Sequence, residues 1–168
     1  SNIYLLNGSL YSMGMNKIYN HRKVKAFVSL THGEGFGRPL LEATMVGLPV
    51  IASGWSGHMD FLSQQNSIIL GGELNPVPKS MHWQDIIIPD SQWFNVNETQ
   101  AYKAMNYCFT NYDEVKKNAV RLMNINREKF TLSKMTERLD KVVSSPMDSA
   151  PTQVGLTLPK LKKVDNVV

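Results

Sequence analysis

The strongest constraint on the fold is the segment Ser29–Ser53, "SLTHGEGFGRPLLEATMVGLPVIAS". A β-type run at 26–30 leads into a loop with three glycines, and a helix is predicted over 38–46. Proline in the first helical turn and Gly47 just past the end both suit that helix. A second β-type run follows at 50–52, and, like the first, it lacks the alternation of a half-exposed strand. Strands buried on both faces, separated by a helix, predict a parallel α/β unit.

The same alternation continues on both sides of this segment. Further predicted elements are strands at 3–6 and 67–70, a helix at 10–19, a turn and short helix at 56–62, and helices at 98–111, 113–129 and 132–143. Residues 71–97 interrupt the pattern and predict an ordered excursion with a short strand at Ile86–Ile88. The predicted fold class is therefore α/β, a Rossmann-like parallel sheet flanked by helices and followed by C-terminal helices.

Composition narrows the class of protein. The chain has 168 residues, of which 42% are apolar, so it is long and apolar enough for one domain with a real core. The sequence has no run of about 18 apolar residues and no signal-peptide pattern. Its single cysteine, Cys108, excludes a disulfide within the chain and favours a reducing compartment. These features predict a cytoplasmic protein and leave a location at the inner membrane face open.

The net charge of +4 comes from the C-terminal part of the chain. Residues 1–112 carry seven Lys/Arg and seven Asp/Glu, whereas residues 113–168 carry eleven and seven. The signs alternate along the predicted helices, which is typical of a solvated face. We therefore expect no nucleic-acid partner, while peripheral contact with an anionic membrane stays open.

The glycine-rich loop has the architecture of a phosphate site. It joins a strand to a helix N-terminus, where free N–H groups and the helix dipole favour an anion. Gly35 and Gly37 allow close approach of the backbone, and Arg38 adds a fixed positive charge. The spacing matches neither GxGxxG nor GK[ST], so plain dinucleotide or ATP binding is not indicated.

Two glutamates change this interpretation. Glu34 lies in the loop and Glu42 lies in the helix, and an ionised carboxylate can accept hydrogen bonds from a pair of vicinal hydroxyls. Taken singly, each glutamate is explained as a solvated turn or helix residue. Taken together, beside a loop with the architecture of a phosphate site, they predict a site for a nucleotide-diphosphate sugar.

The block "HGEGFGRPLLEATMVGLPVIAS" resembles the E-x7-E signature of retaining GT-B glycosyltransferases. The residues that match in type and spacing are Glu34, Gly35, Phe36, Gly37, Glu42, Gly47, Pro49 and Val50. The resemblance covers about residues 3–70 and implies part of a C-terminal donor-binding domain. The stretches "GRPLLEA", "WSGHMDF" and "SQWFNVN" are more loosely similar to a subgroup common in phage and marine bacterial sequences.

The resemblance implies a role for each matching position. Glu42 would bind the ribose hydroxyls and Glu34 the hydroxyls of the donor sugar, which makes these two the expected catalytic-site carboxylates. The expected donor-binding residues are Gly35, Phe36, Gly37 and Arg38, with Ser56, Gly57 and His58 as weaker candidates at the rim. No metal and no cofactor are implied, because the nucleotide-diphosphate sugar is the donor substrate.

The same resemblance implies limits. Residues 1–145 would form a partial nucleotide-sugar-binding domain, and residues 146–168 a Ser/Pro-rich spacer and basic tail. The family's phosphate-clamping Arg and Lys and its acceptor domain have no counterpart here, so a hexosyltransferase parent is expected and the isolated fragment is expected to be inactive. The acceptor (a glycan, lipid or protein) is not indicated.

Several alternatives stay open at this point. The chain is either part of an enzyme, a non-catalytic Rossmann-like nucleotide or phosphate-binding module, or a structural fragment whose glycines only shape a turn. Self-association through an exposed sheet edge is also open. The tryptophans, Trp55, Trp83 and Trp93, either stack on a sugar or base or pack within the protein. His32 is expected to be satisfied at a strand end rather than to line a cleft.

Overall fold

A three-stranded parallel sheet with the order β1–β2–β3 forms the centre of the fold. The computed structural model describes residues 3–147, which fall into two compact units, 3–130 and 131–147. The strands of this sheet are β1 (Phe27–Ser29), β2 (Val50–Ser53) and β3 (Ile68–Leu70). The helices of the first unit are α1 (Ser12–Tyr19), α2 (Arg38–Met45), α3 (Glu98–Thr110) and α4 (Tyr112–Lys129), with short 3-10 turns at Gly57–Asp60 and Lys79–Met81. The predicted α/β fold class is confirmed.

Strand β2 is buried along its whole length and separates two apolar layers. Val50 and Ala52 point to one layer and Ile51 to the other, because successive side chains of a strand face opposite sides. The first layer includes Tyr19, Leu40, Ala43, Leu48, Phe61, Leu62 and Leu122. The second layer includes Leu70, Ala101, Ala104, Cys108 and Val115. Burial raises the pKa of the Cys108 thiol, the only thiol in the sequence.

Strand β1 is less buried than its sequence predicts. It pairs with β2, and among residues 3–147 no strand pairs with its other edge. Val28 at its centre is therefore 41% exposed. The strand predicted at Ile3–Leu6 is wrong: the segment has no regular secondary structure, and its four side chains are 76–93% exposed. A strand needs a partner for its N–H and C=O groups, and the described chain supplies none there.

The excursion at 71–97 is a β-hairpin. It consists of β4 (Gly72–Pro76) and β5 (Gln92–Val96), paired antiparallel from Gly72 with Val96 to Pro76 with Gln92. The predicted strand at Ile86–Ile88 is wrong, because these residues lie in the loop of the hairpin beside an isolated bridge between Trp83 and Ile87. Three consecutive isoleucines favoured a strand, but turn formation at 84–86 leaves no ladder for them to join.

Helix α4 is fastened to α2 by a buried polar contact. The Asn126 amide is 1% exposed and donates to the Thr44 hydroxyl (2.9 Å) and to the Phe61 carbonyl (3.3 Å). Two cations of α4 reach the end of α2, where Arg127 donates to the Met45 carbonyl (2.7 Å) and Lys116 to the Gly47 carbonyl. Cations at a helix C-terminus complement both its free carbonyls and its dipole.

The second unit is described over residues 131–147. Its helix α5 spans Leu132–Met147, and the Thr131 hydroxyl accepts from the Lys134 amide (3.2 Å) at its start. Hydrogen bonds from Lys141 and Lys134 lower the pKa of the exposed Glu137 carboxyl to about 2. The part of the predicted spacer and basic tail beyond Met147 lies outside the described residues. Within 3–147, none of the helices has the length and apolar character needed to cross a membrane.

The Asn126 contact predicts a stability effect at a distance from any ligand site. Asn126→Ala leaves the Thr44 hydroxyl without a buried donor and is expected to lower the free energy of unfolding by about 1–3 kcal/mol. Urea denaturation followed by circular dichroism measures this loss. Asn124→Ala, on the exposed side of the same helix, should change stability by less than about 0.5 kcal/mol. Equal effects of the two variants would contradict the prediction.

Candidate functional site

Two loops leave the carboxyl ends of neighbouring parallel strands and meet. One loop, 30–37, follows β1, and the other, 54–56, follows β2. The Ser56 hydroxyl donates to the Glu34 carbonyl (2.6 Å) and accepts from the Glu34 amide (3.2 Å), while the Gly57 amide donates to the same carbonyl (3.0 Å). Ligands of open α/β sheets bind at this end of the strands.

Glycine is required where the two loops touch. A Cβ on Gly57 would overlap the Gly35 carbonyl oxygen. Gly37 has φ +80° and a Cβ there would lie 2.9 Å from the Cβ of His58 and 3.1 Å from Leu40 Cδ1. Gly35, in contrast, has no atom within 4 Å of the position of a Cβ. Two of the glycines therefore shape the site, and the third leaves open space beside it.

This difference predicts opposite outcomes for two similar substitutions. Gly37→Ala is expected to lower the free energy of unfolding by more than about 1 kcal/mol, since alanine is strained at positive φ and its methyl group meets His58. Gly35→Ala should leave stability within about 0.5 kcal/mol of the wild type. Thermal unfolding of the two variants compares them directly, and a Gly37→Ala variant as stable as Gly35→Ala would refute the packing argument.

Ser56 has a backbone conformation that only glycine adopts readily. Its φ is 84° and its ψ is −167°. Such a residue costs on the order of 1–3 kcal/mol and persists where its surroundings enforce it, most often at ligand clamps and active sites. Here the hydrogen bonds of Ser56 with Glu34 supply the compensation.

Replacing Ser56 in two ways separates its strain from its hydrogen bonds. Ser56→Ala loses both side-chain bonds and keeps the strain, so it is expected to destabilise the protein by about 1–2 kcal/mol. Ser56→Gly loses the same bonds but relieves the strain, and it should be the more stable variant of the two. Hydrogen exchange at the Glu34 amide should quicken in both. A Ser56→Ala variant at least as stable as Ser56→Gly would contradict this reading of the turn.

Glu42 lies in a different part of the site from Glu34. It lines a cavity of about 450 Å³ between α1 and α2, together with Arg38, Tyr19, Met15, Asn16, Leu10, Met45 and Val46. Arg38 Nε lies 3.2 Å from a Glu42 oxygen. Burial raises the pKa of the Tyr19 hydroxyl, and the nearby Glu42 carboxylate raises it further. The hydroxyl therefore stays protonated at neutral pH.

The structure does not bring all the predicted site residues together in one place. Glu34, Gly35, Ser56 and Gly57 meet where the loops touch, and Arg38 and Glu42 line the cavity, which Glu34 does not reach. The Phe36 ring packs edge-on against Phe61 (5.3 Å) and anchors the loop. Gly37 is the residue before α2.

His58 is placed in the interior rather than at the rim. Its side chain is fully buried and its Nε2 donates to the Ser53 carbonyl (2.6 Å). Its Nδ1 has no hydrogen-bond partner among the described residues. The Gly57 amide is also engaged, by the Glu34 carbonyl. Gly57 therefore joins the two loops, whereas His58 ties its own turn to the end of β2.

Sequence reasoning missed the α1 side of the cavity. Met15, Asn16 and Tyr19 come from one face of α1, where the spacing i, i+1, i+4 brings them side by side. That spacing was visible in the sequence, but nothing local shows that this face meets Glu42. His32 agrees with its prediction: its Nδ1 donates to the Phe94 carbonyl (3.0 Å) at the end of β1.

The comparisons with known proteins concern the family and the fold. Residues 8–76, which hold both loops and the cavity helices, match the model of the family described as "Glycosyl transferases group 1". This stretch is similar to group 1 glycosyl transferases. A comparison with curated proteins gave no significant match.

One solved structure shows the same fold. The crystal structure of Anabaena Alr3699/HepE in complex with UDP matches with a TM-score of 0.51 and 18% identity, over 72% of this chain and 28% of that one. Structures of the same protein with UDP and glucose and with UDP-glucose match with TM-scores of 0.49 and identities of 19% and 20%. They cover 71% of this chain and 26% and 27% of theirs. The chain thus spans under a third of the solved structures that it matches.

Proposed function

We propose that this chain is the donor-binding part of a GT-B glycosyltransferase that retains the configuration of the transferred sugar. The observation that carries the proposal is the junction of the Glu34 loop with the Ser56 turn at the carboxyl ends of β1 and β2. The family match over residues 8–76 includes this junction and supports the assignment to sugar transfer. The donor is a nucleotide-diphosphate sugar.

The cavity beside α2 is suited to the nucleoside. Glu42 presents a half-exposed carboxylate that pairs with the 84% exposed side chain of Arg38. Such a surface pair is weak, so a ligand can separate it at little cost. The two ribose hydroxyls would then donate to Glu42, while Arg38 would be free to turn toward the diphosphate. Apolar side chains of α1 give the rest of the cavity a surface for the base.

The loop before α2 is suited to the diphosphate and the sugar. Gly35 is exposed with open space around it, and the amides of residues 35–37 precede the positive end of the α2 dipole. In retaining transfer the acceptor hydroxyl attacks the anomeric carbon on the face from which the nucleotide leaves. The charge that develops on the departing diphosphate is stabilised by this helix end and by Arg38. Glu34 would hold the hydroxyls of the sugar.

Titration with UDP tests the proposal. The wild-type chain should bind UDP in isothermal calorimetry, and Glu42→Ala should weaken binding at least tenfold, since hydrogen bonds to a charged group contribute about 1.5–3 kcal/mol each. Glu128→Ala, which removes an exposed carboxylate on α4, is the matched control and should bind as the wild type does. Circular dichroism verifies that each variant is folded.

Two results would overturn the proposal. If the folded wild-type chain failed to bind UDP, GDP and ADP at millimolar concentration, the donor assignment would be lost. If UDP bound but Glu42→Ala bound it equally well, the ribose would not lie on Glu42.

A further inference from the structure

We propose that Trp55 is the stacking surface of a pyranose subsite whose hydrogen-bonding group is the Glu34 carboxylate. This inference rests on the proposed function and extends it, because it names a residue that recognises the sugar ring rather than the nucleotide. The ligand class is a hexose, present either as the glycosyl group of the donor or as a sugar of the acceptor.

Trp55 lies in the loop after β2, next to the contact between the two loops. It follows β2 and immediately precedes the strained Ser56. Its Cδ1 lies 3.9 Å from the position of a Cβ on Gly33, so its ring edge borders the glycine loop. The side chain remains 43% exposed. A large apolar ring is thus held open to solvent one residue from the turn that bonds Glu34.

A residue of the β4–β5 hairpin stacks on the Trp55 ring. Phe94 of β5 stacks on it with 6.0 Å between ring centroids and 11° between planes. The same residue bonds the loop twice, because its amide donates to the His32 carbonyl (3.3 Å) and its carbonyl accepts from His32 Nδ1 (3.0 Å). The His32 ring is in turn stacked on Trp93 at 4.5 Å and 8°. Packing of this kind pre-organises a side chain and lowers the entropy that binding would cost.

The Glu34 carboxylate supplies the hydrogen-bonding group that the Trp55 ring, the proposed stacking platform, lacks. The backbone of Glu34 is bonded to Ser56 and Gly57, whereas its carboxylate makes no hydrogen bond or ion pair with the described residues. A sugar ring has an apolar face of C–H groups and an equatorial rim of hydroxyls. An aromatic ring and an unengaged carboxylate, on residues joined through the Ser56–Glu34 backbone bonds, match both parts, since the ring would cover the C–H face and the carboxylate would accept from two hydroxyls.

Two ligands distinguish the source of the sugar. UDP-glucose carries the hexose on the nucleotide, while maltotriose presents hexoses without one. Binding of each, and of UDP, is measured by calorimetry for the wild type, Trp55→Leu, Trp55→Phe and the control Trp83→Leu. Trp83 is 64% exposed in the loop of the hairpin, and its backbone bonds with Ile87 do not involve the side chain.

Selective loss of sugar affinity is the expected result. UDP should bind all four proteins equally. For a donor hexose, Trp55→Leu should weaken UDP-glucose by roughly three- to tenfold, the size of an aromatic stacking contribution, with Trp55→Phe in between and Trp83→Leu unchanged. For an acceptor sugar, the same order should appear with maltotriose in the presence of UDP. The indole N–H signal of Trp55, assigned from the variant spectra, should shift with the sugar that binds.

Failure of this inference differs from failure of the proposed function. If UDP binds but neither sugar ligand distinguishes Trp55→Leu from Trp83→Leu, the platform is overturned and donor binding stands. If UDP does not bind, the proposed function fails. In that case the role of Trp55 is tested by titrating the chain with maltotriose and following the indole N–H signal of Trp55. If this signal does not shift at saturating sugar, the proposed role of Trp55 is overturned as well.

Discussion

Burial of β2 on both faces and hydrogen bonding on both of its edges organise the first unit. A strand so enclosed can leave the core only at its ends, and in a parallel sheet equivalent ends lie together. The loop after β1 and the loop after β2 are therefore brought to the same edge before any of their own contacts form. The apolar pattern of three short strands thus determines where polar chemistry can be placed, although no strand residue takes part in that chemistry.

Backbone contact refines this coarse placement. The Glu34 peptide is bonded through both its amide and its carbonyl to the Ser56 turn, and glycine at positions 37 and 57 lets the chains approach closely. The result is a junction in which the Glu34 amide and carbonyl are both bonded, the Glu34 carboxylate makes no hydrogen bond or ion pair with the described residues, and Trp55 stays 43% exposed. Rigid main chain with unengaged side chains is what a ligand site requires, because the ordering cost is met during folding.

The parts of this fold that are predictable from sequence are those set by local patterns. Helix α2 begins and ends where proline and glycine indicate, and the three central strands lie within one or two residues of their predicted positions. The errors concern pairing. Ile3–Leu6 has the composition of a strand but no partner in the described chain. The hairpin of β4 and β5 was not predicted because its two strands lack a clear β-type pattern and are separated by 15 residues, 77–91. Sequence also did not predict that Glu42 and Glu34 lie in different places. Glu42 lines the cavity between α1 and α2, and the packing of α1 against α2 is a tertiary contact that no local pattern shows.

Cys108 gives the first unit an internal reporter. It is the single cysteine of the sequence, it is 4% exposed in the layer beneath Ile51, and burial raises its pKa. A thiol must be both accessible and ionised to react, so the low exposure of Cys108 and its raised pKa both slow alkylation at neutral pH. The rate at which the chain consumes an alkylating reagent therefore reports how accessible this side of the sheet becomes, without any engineered label.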